Sequence, residues 1–344
     1  MNDRHGILVN ADVLDEDYIP EVIYARETQV RELKFCLDPL FHRRKPIHSW
    51  LYGKPGTGKT VTALYILSQL EAASRVQGVY VNCWERNTFY SVLDKIITDL
   101  RILGAEKPDT GFKFDRFLRY VRQNPLVIVL DEIDQPSPKE RNSMIYNLCS
   151  LKQIGLICIC NSRYFLQFLD ERVKSRLNAN QVRFDPYSVD ELFYILKHRA
   201  ELALMPGTYG KAELEKIAEL AEGDARVAIK TLKDAAYSAE RESDKIEWKH
   251  INKAWNEAKK IKKTYLLNKL TSHHRMLYRI ISKRKEILSS DLWKVYLEEC
   301  RQRKVKPIAV RTYSEYVNKL RDLGLIRAER ASVRGKVRLL RVLG

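Results

Sequence analysis

The sequence predicts an α/β fold with a five-stranded parallel sheet, then a wholly helical stretch, then a basic C-terminal unit of three helices and a hairpin. Three observations carry this. Five short apolar, β-branched runs alternate with amphipathic stretches in the first half. No strand-like run follows Pro186 until past Lys263. The last 80 residues, 265–344, hold 20 Lys/Arg against 7 Asp/Glu and so carry +13 of the chain's net +17.

The runs are Ser49–Tyr52, Val79–Cys83, Leu126–Leu130, Leu156–Cys160 and Gln181–Phe184. Runs of four or five residues that are apolar nearly throughout suit strands covered on both faces by helices. Helical patterns lie between them at Thr60–Leu70, Thr88–Leu100 and Phe114–Arg122, and alternation of this kind implies crossovers and a parallel sheet. From Val189 the pattern is helical, at Asp190–Leu204 and at Ala212–Ala221, where Leu214, Ile217, Ala218 and Ala221 share one face. The basic stretch Lys259–Lys263 reads as a connector. The expected division is 1–187, 188–263 and 264–344.

With 344 residues and 45% hydrophobic content the chain has room for two or three cores. The net charge of +17 points to an anionic partner. The six cysteines show no Cys-x-x-Cys pair, so they read as reduced, buried thiols rather than a disulfide framework. Met1–Leu14 lacks the apolar core of a secretion signal, and no apolar run approaches the ~20 residues of a membrane helix. A cytoplasmic protein without membrane contact is expected.

The chemistry concentrates after the first strand. Gly53-Lys54-Pro55-Gly56-Thr57-Gly58-Lys59-Thr60 matches G-x-x-x-x-G-K-[ST] between a strand and a helix. Such glycines let backbone N–H groups curl around phosphate oxygens, and the helix start adds its positive dipole end. Lys59 is expected on the β- and γ-phosphates and the Thr60 hydroxyl on Mg²⁺. Leu126–Leu130 runs into Asp131-Glu132, which suits Asp131 to the metal and Glu132 to polarising a water. Two acids there also suit a plain strand-end turn; sharing a sheet edge with the loop favours catalysis. Asn161 ends the next strand, either as a turn residue or as an amide that orients the water. Asp224 reads as the N-cap of a helix that places Arg226 in its first turn. The dipole disfavours a cation there, so Arg226 reads as a γ-phosphate contact or as a solvated surface residue.

Together these residues resemble an AAA+ ATPase, and more narrowly the archaeal origin-recognition and initiator proteins. The stretches Val81-Asn82-Cys83, Thr88-Phe89-Tyr90, Asp131-Glu132-Ile133-Asp134, Arg172-Val173-Lys174-Ser175-Arg176-Leu177 and the C-terminal eighty residues carry that resemblance. It implies that ATP or ADP and Mg²⁺ bind, with Asn161 and Arg226 as two sensors. Arg176, in preference to Arg172, would be a finger on nucleotide held by a neighbouring copy or paralogue. Ile19, Val22, Ile23 and Arg26 would lie against adenine. An insertion spanning Arg101 to Lys113 would offer Arg101, Lys107 and Lys113 to DNA phosphates. Ser162-Arg163 departs from the family, where an acidic residue often follows the asparagine.

The C-terminal unit reads as a winged helix-turn-helix from its own residues. Helical patterns fall at 272–282, 290–300 and 310–323; in the last, Tyr313, Val317, Leu320 and Leu323 form one apolar stripe and Gly324 suits its end. Leu325–Glu329 and Val337–Val342 read as strands around a basic turn. Arg311, Thr312, Ser314 and Lys319 would face the major groove, with Asn318 and Arg321 on the same side. Arg330, Arg334, Lys336 and Arg338 would approach the minor groove or phosphates. The expected function is an ATP-dependent replication initiator that binds double-stranded origin DNA and helps recruit or load the replicative helicase, with slow ATP hydrolysis and a nucleoid location. The competing readings are an AAA+ ATPase of another class and a nucleotide-gated DNA-binding regulator with little turnover.

Overall fold

The computed structural model describes residues 6–102, 109–268, 270–330 and 338–342. Its packing divides it into two compact units, Met1–Trp255 and Asn256–Gly344. In the first, α1 (Glu27–Leu37) leads to β1 (Ser49–Gly53) and α2 (Lys59–Ala73) to β2 (Gln77–Asn82). Then α3 (Phe89–Asp99) and α4 (Thr110–Gln123) lead to β3 (Leu126–Asp131), α5 (Pro138–Cys149) to β4 (Ile154–Cys160), and α6 (Glu171–Leu177) to β5 (Asn180–Phe184). The strands form one parallel sheet in the order β2-β3-β4-β1-β5.

Every residue of β3 and β4 is buried, which is what an uninterrupted apolar strand requires of its surroundings. Val92, Phe117, Met144 and Val173 from α3 to α6 cover one face. Leu33, Leu37, Ala63 and Ile66 from α1 and α2 cover the other. All five expected strands are present. Helices α1 and α5 were not anticipated, because their sequences are largely polar; α5 even buries Arg141 against the ring of Phe165, 4.4 Å from its centroid.

The helical part of this unit comprises α7 (Val189–Ala203), α8 (Lys211–Leu220), α9 (Ala225–Glu242) and the start of α10 (Trp248–Asn268), whose residues from Asn256 belong to the second unit. A reciprocal capping box starts α7, with Glu191 N–H on Ser188 Oγ at 3.1 Å and Ser188 N–H on Glu191 Oε2 at 2.7 Å. The Lys259–Lys263 stretch, expected as a connector, lies within α10; no Gly or Pro interrupts 248–268. Ile7, Val13 and Leu14 share the core of Leu192, Leu196 and Leu232. Val9 N–H reaches Ala203 O at 2.8 Å and Met205 N–H reaches Ile7 O at 2.8 Å. Residues 7–14 therefore pack with the helical core rather than the sheet. A segment so short shows no periodicity that could reveal this.

In the second unit α11 (Ser272–Arg284), β6 (Glu286–Leu288), α12 (Ser289–Gln302), α13 (Val310–Asp322), β7 (Ile326–Arg330) and β8 (Arg338–Val342) follow one another. The strands form an antiparallel sheet in the order β6-β8-β7. Tyr313 and Leu320 are buried and Val317 and Leu323 pack beside them, as the stripe predicts. Gly324, at φ +67°, closes α13: Leu325 N–H bonds Leu320 O at 3.0 Å and Gly324 N–H bonds Arg321 O at 2.9 Å. Strand β6 is additional to the expected pattern, because three residues are too few to show a period. No described helix is long and apolar enough to cross a membrane.

Candidate functional site

The carboxyl ends of β1, β3 and β4 meet on one sheet edge, since β3 and β1 flank β4 in parallel register. The loop from Gly53 to Gly58 leaves β1 there and delivers Lys59 into the first turn of α2. Gly56 and Gly58 have φ of +77° and +87°, which other residues adopt only under strain. Space is equally restrictive: a Cβ on Gly56 would lie 2.0 Å from Asp224 Oδ1, and one on Gly58 would lie 2.2 Å from the Tyr187 hydroxyl.

Lys59 is buried, and its ammonium donates to Gly53 O and Lys54 O, each at 2.8 Å. Burial lowers its pKa to about 8, partly opposed by Asp131; the nearby Arg226 charge lowers it further. Thr60 Oγ1 donates to Asp131 Oδ2 at 2.7 Å, and the Tyr80 hydroxyl donates to the same oxygen at 3.0 Å. Asp131 Oδ1 accepts Glu132 N–H at 2.8 Å. Glu132 is held at φ +51°, an unfavourable region for a non-glycine residue. Its position is fixed by the hydrogen bonds on either side, including Ile133 N–H to Ile159 O at 3.1 Å. A hydroxyl beside a carboxylate is the hard-oxygen donor set that suits Mg²⁺. Asp134 is half-buried between Asp131, Lys59 and Arg141, and burial raises its pKa. Asn161 is exposed immediately beyond β4 on this edge.

The start of α9 sits on the loop. Ala225 N–H donates to Gly56 O at 3.0 Å, while Asp224 caps the helix by accepting Arg226 N–H at 3.1 Å and Val227 N–H at 3.3 Å. Arg226 is exposed in the first turn, close enough for its charge to be felt at Lys59. Arg26 is buried and ties three segments together, donating to Ala25 O at 2.7 Å, Thr57 O at 3.0 Å and Asp185 O at 2.7 Å. Its guanidinium stacks 3.7 Å from the Tyr187 ring centroid.

In the second unit the face of α13 opposite its stripe is open. Arg311 has 93% of its side chain exposed and pairs with Glu315 at 3.5 Å. Ser314 is exposed with its hydroxyl on Val310 O at 3.1 Å; Asn318 and Lys319 are exposed, Thr312 half-buried, and Arg321 pairs with Asp322 at 2.9 Å. Arg338 is exposed, and its backbone opposes Arg330 in the β7–β8 register. Arg334 and Lys336 lie outside the described residues.

Three sequence families match in series. They are an AAA ATPase domain over residues 22–159, a Cdc6 AAA+ ATPase-type lid domain over 193–256 and a CDC6 C-terminal winged helix domain over 276–343. The ORC1-type DNA replication protein 1 of Sulfurisphaera tokodaii is 32% identical, the match covering 94% of this chain and 87% of the relative. The chain belongs to the ORC1-type DNA replication protein family. The Desulfurococcus amylolyticus ORC1-type protein is 31% identical over 98% of this chain and 91% of its own length. Among solved structures, the Aeropyrum pernix ORC1 protein in complex with DNA superposes with a TM-score of 0.76 at 28% identity, covering 99% of this chain and 94% of that one. The A. pernix ORC2 protein (ADPNP–ADP complexes) has the same fold, with a TM-score of 0.76 at 24% identity over 98% and 94%.

Within this ORC1-type chain the adenine-side expectation divides. Ile19 and Val22 are 39% and 50% exposed and Ile23 is half-buried, whereas Arg26 is buried on three backbone carbonyls and the Tyr187 ring. Arg176 is exposed on α6, with Nη1 on the Tyr146 hydroxyl at 2.7 Å; Arg172 is exposed as well. The insertion fares worse. Lys113 is buried and ion-paired with Asp94, with the Tyr90 hydroxyl 3.2 Å away, so it is not a surface phosphate contact. The same amphipathic period that makes α4 turned Lys113 inward. Arg101 is exposed, and Lys107 lies outside the described residues. Tyr80 and Tyr187 are the residues sequence reasoning missed. An aromatic in a strand reads as packing, and only the register brings the Tyr80 hydroxyl to Asp131.

Proposed function

We propose that this chain is an ATP-dependent replication initiator that binds double-stranded origin DNA and helps recruit or load the replicative helicase. The family supports the replication part of this reading; the observation that carries its nucleotide-dependent part is the 2.7 Å hydrogen bond from Thr60 to Asp131, which joins the phosphate-type loop to the acidic end of β3. A loop of this kind beside an ordered carboxylate pair, with the start of α9 resting on Gly56, has the parts of a nucleotide-hydrolysing site. The three parts 1–187, 188–263 and 264–344 would serve as nucleotide domain, lid and DNA reader.

In this reading the N–H groups of Gly53, Lys54, Gly56, Thr57 and Gly58 cradle phosphates around the turn that Pro55 shapes, and Lys59 exchanges its two carbonyl partners for phosphate oxygens. Thr60 and Asp131 hold Mg²⁺, which when bound neutralises charge on the transferred phosphoryl group. Glu132 accepts a proton from the attacking water, and Asn161 orients that water. Arg226 reports phosphate occupancy to the helix on which it sits. Ile19, Val22 and Ile23 close over adenine, with Arg26 anchoring their segment to Thr57. Arg176 completes the site of a neighbouring copy or paralogous initiator. Turnover is slow, because a bound state that shapes the DNA-binding surface matters more to this role than repeated release. Arg311, Thr312, Ser314 and Lys319 meet base edges or phosphates in the major groove, and Arg330, Arg334, Lys336 and Arg338 follow the adjacent backbone. The host protein would be cytoplasmic, on the nucleoid.

Genome-wide mapping of the DNA bound by the chain in its host cell tests this directly. Occupancy of a few sites that coincide with replication starts is expected; diffuse binding without that coincidence would reject the initiator reading.

A further inference from the structure

The metal-facing carboxylate carries a donor for which the sequence gives no hint. We propose that Tyr80 is a positioning residue that fixes the orientation of Asp131 for divalent-cation binding. The inference deepens the nucleotide-site reading above and rests on it. Tyr80 lies on β2, whose register with β3 sets Tyr80 opposite Val129 and Asn82 opposite Asp131. Along β2 the side chains alternate: Val79 and Val81 enter the core on the α3–α6 side, and the Tyr80 ring packs against the opposite core with Ala63 and Val129. From there its hydroxyl crosses diagonally to Asp131 Oδ2, 3.0 Å away, a reach that cross-strand diagonals allow to long side chains.

Three donors then account for the carboxylate: Thr60 at 2.7 Å and Tyr80 at 3.0 Å on Oδ2, and Glu132 N–H at 2.8 Å on Oδ1. The Glu132 N–H belongs to the next residue and moves with Asp131, and Thr60 sits on the loop side. Among the described residues Tyr80 alone approaches from a third element, the neighbouring strand, so it resists rotation of the carboxylate when the loop moves. With the Thr60 proton given to Asp131, the lone pairs of Oγ1 stay available to a cation. Outer-shell partners of metal ligands act in this way, and their loss typically weakens metal binding by about 10–100-fold.

Tyr80→Phe keeps the ring and its packing and removes only the hydroxyl. The test titrates MgCl₂ against equilibrium binding of a fluorescent non-hydrolysable ATP analogue to the full-length chain, beside the same binding measured in EDTA. The magnesium midpoint of Tyr80→Phe is expected to rise about tenfold, with binding in EDTA unchanged. An unchanged magnesium midpoint, in a parent chain that does bind nucleotide and does respond to magnesium, overturns the Tyr80 assignment alone. Equal weakening in EDTA and in magnesium overturns it too, because that pattern marks a structural role. A parent chain that binds no nucleotide under either condition removes the nucleotide reading and this inference together.

Discussion

The carboxyl edge of the sheet and the open face of α13 use charge in opposite ways. At the edge, Lys59, Asp131 and Arg26 are buried and each is held by two or three hydrogen bonds within 3.0 Å. On α13, Arg311 and Lys319 stand in solvent on flexible stems, and Arg311 has only a loose partner within its own helix. Buried charges act at fixed distances in a low dielectric, where an error of an ångström is expensive. Exposed charges on long stems attract a phosphate backbone from many positions and tolerate its irregularities. The first arrangement suits bond chemistry and the second suits adhesion. Substitutions at the edge should therefore produce large, all-or-none effects, and those on α13 small, salt-dependent ones.

The largest effect is expected at Glu132. Glu132→Gln keeps the shape and removes the proton acceptor, so ATP turnover should fall by about 10²–10⁴-fold while ATP remains bound. Single-turnover hydrolysis beside equilibrium nucleotide binding separates the two quantities. Equal turnover in parent and variant would remove Glu132 as the base and blur the contrast with α13.

Next comes Lys59→Ala, which deletes a buried cation. Loss of one member of a desolvated charge pair costs roughly 3 kcal/mol, so ATP and ADP affinity should drop about a hundredfold, as read by isothermal titration. Retained affinity would mean that the loop does not grip phosphate.

Burial of titratable groups also makes the fold itself sensitive to acid. His48 is 2% exposed; Leu156 N–H donates to its Nδ1 and its Nε2 faces Cys149 O, both at 3.2 Å, which suits a neutral ring protonated on Nε2. Burial lowers its pKa to about 4 from an ordinary 6.5. As pH falls, the unfolded chain takes up the proton first, so the stability held above pH 6.5 is lost between 6.5 and about 4. This amounts to roughly 3 kcal/mol. His274 in the second unit is likewise buried, stacked 3.6 Å from Tyr316, and lowered to about 4 by burial first and then by Lys319 and His273. Melting temperature should decline across that window, and His48→Gln should decline less steeply than the parent. A flat profile in the parent would show that neither ring is held neutral.

What could be read in the sequence follows the same division. Strands β3 and β4 were legible because burial on both faces demands apolar residues without interruption, whereas the edge strands β2 and β5 showed through their alternating apolar positions. The placement of the loop, Asp131 and Glu132 on one edge and the Asp224 cap were legible because each needs a particular residue type at a particular spacing. Tyr80, Tyr187 and the carbonyl anchoring by Arg26 were not, since they join segments far apart in sequence and only register and topology bring them together. Lys113 misled for a related reason: the resemblance placed it in a DNA-touching insertion, whereas the helix phase of α4 turned it onto Asp94. The packing of residues 7–14 with α7 is a pairing at long separation, and no local pattern encodes it.

The smallest effect should come from α13, and its size is itself informative. Arg311 is almost fully exposed and its pairing with Glu315 at 3.5 Å is worth little in water, so Arg311→Ala should leave folding and nucleotide binding untouched. If Arg311 meets a phosphate, the variant should lower the slope of log affinity against log salt by about 0.9 and weaken duplexes of every sequence alike. If it meets a guanine edge instead, the salt slope should hold and discrimination at one base pair should fall by about 1–3 kcal/mol. Fluorescence anisotropy on a duplex panel at several salt concentrations separates these outcomes. Unchanged affinity and slope on every duplex would take Arg311 out of the DNA-reading face and leave that role to Lys319 and Arg338.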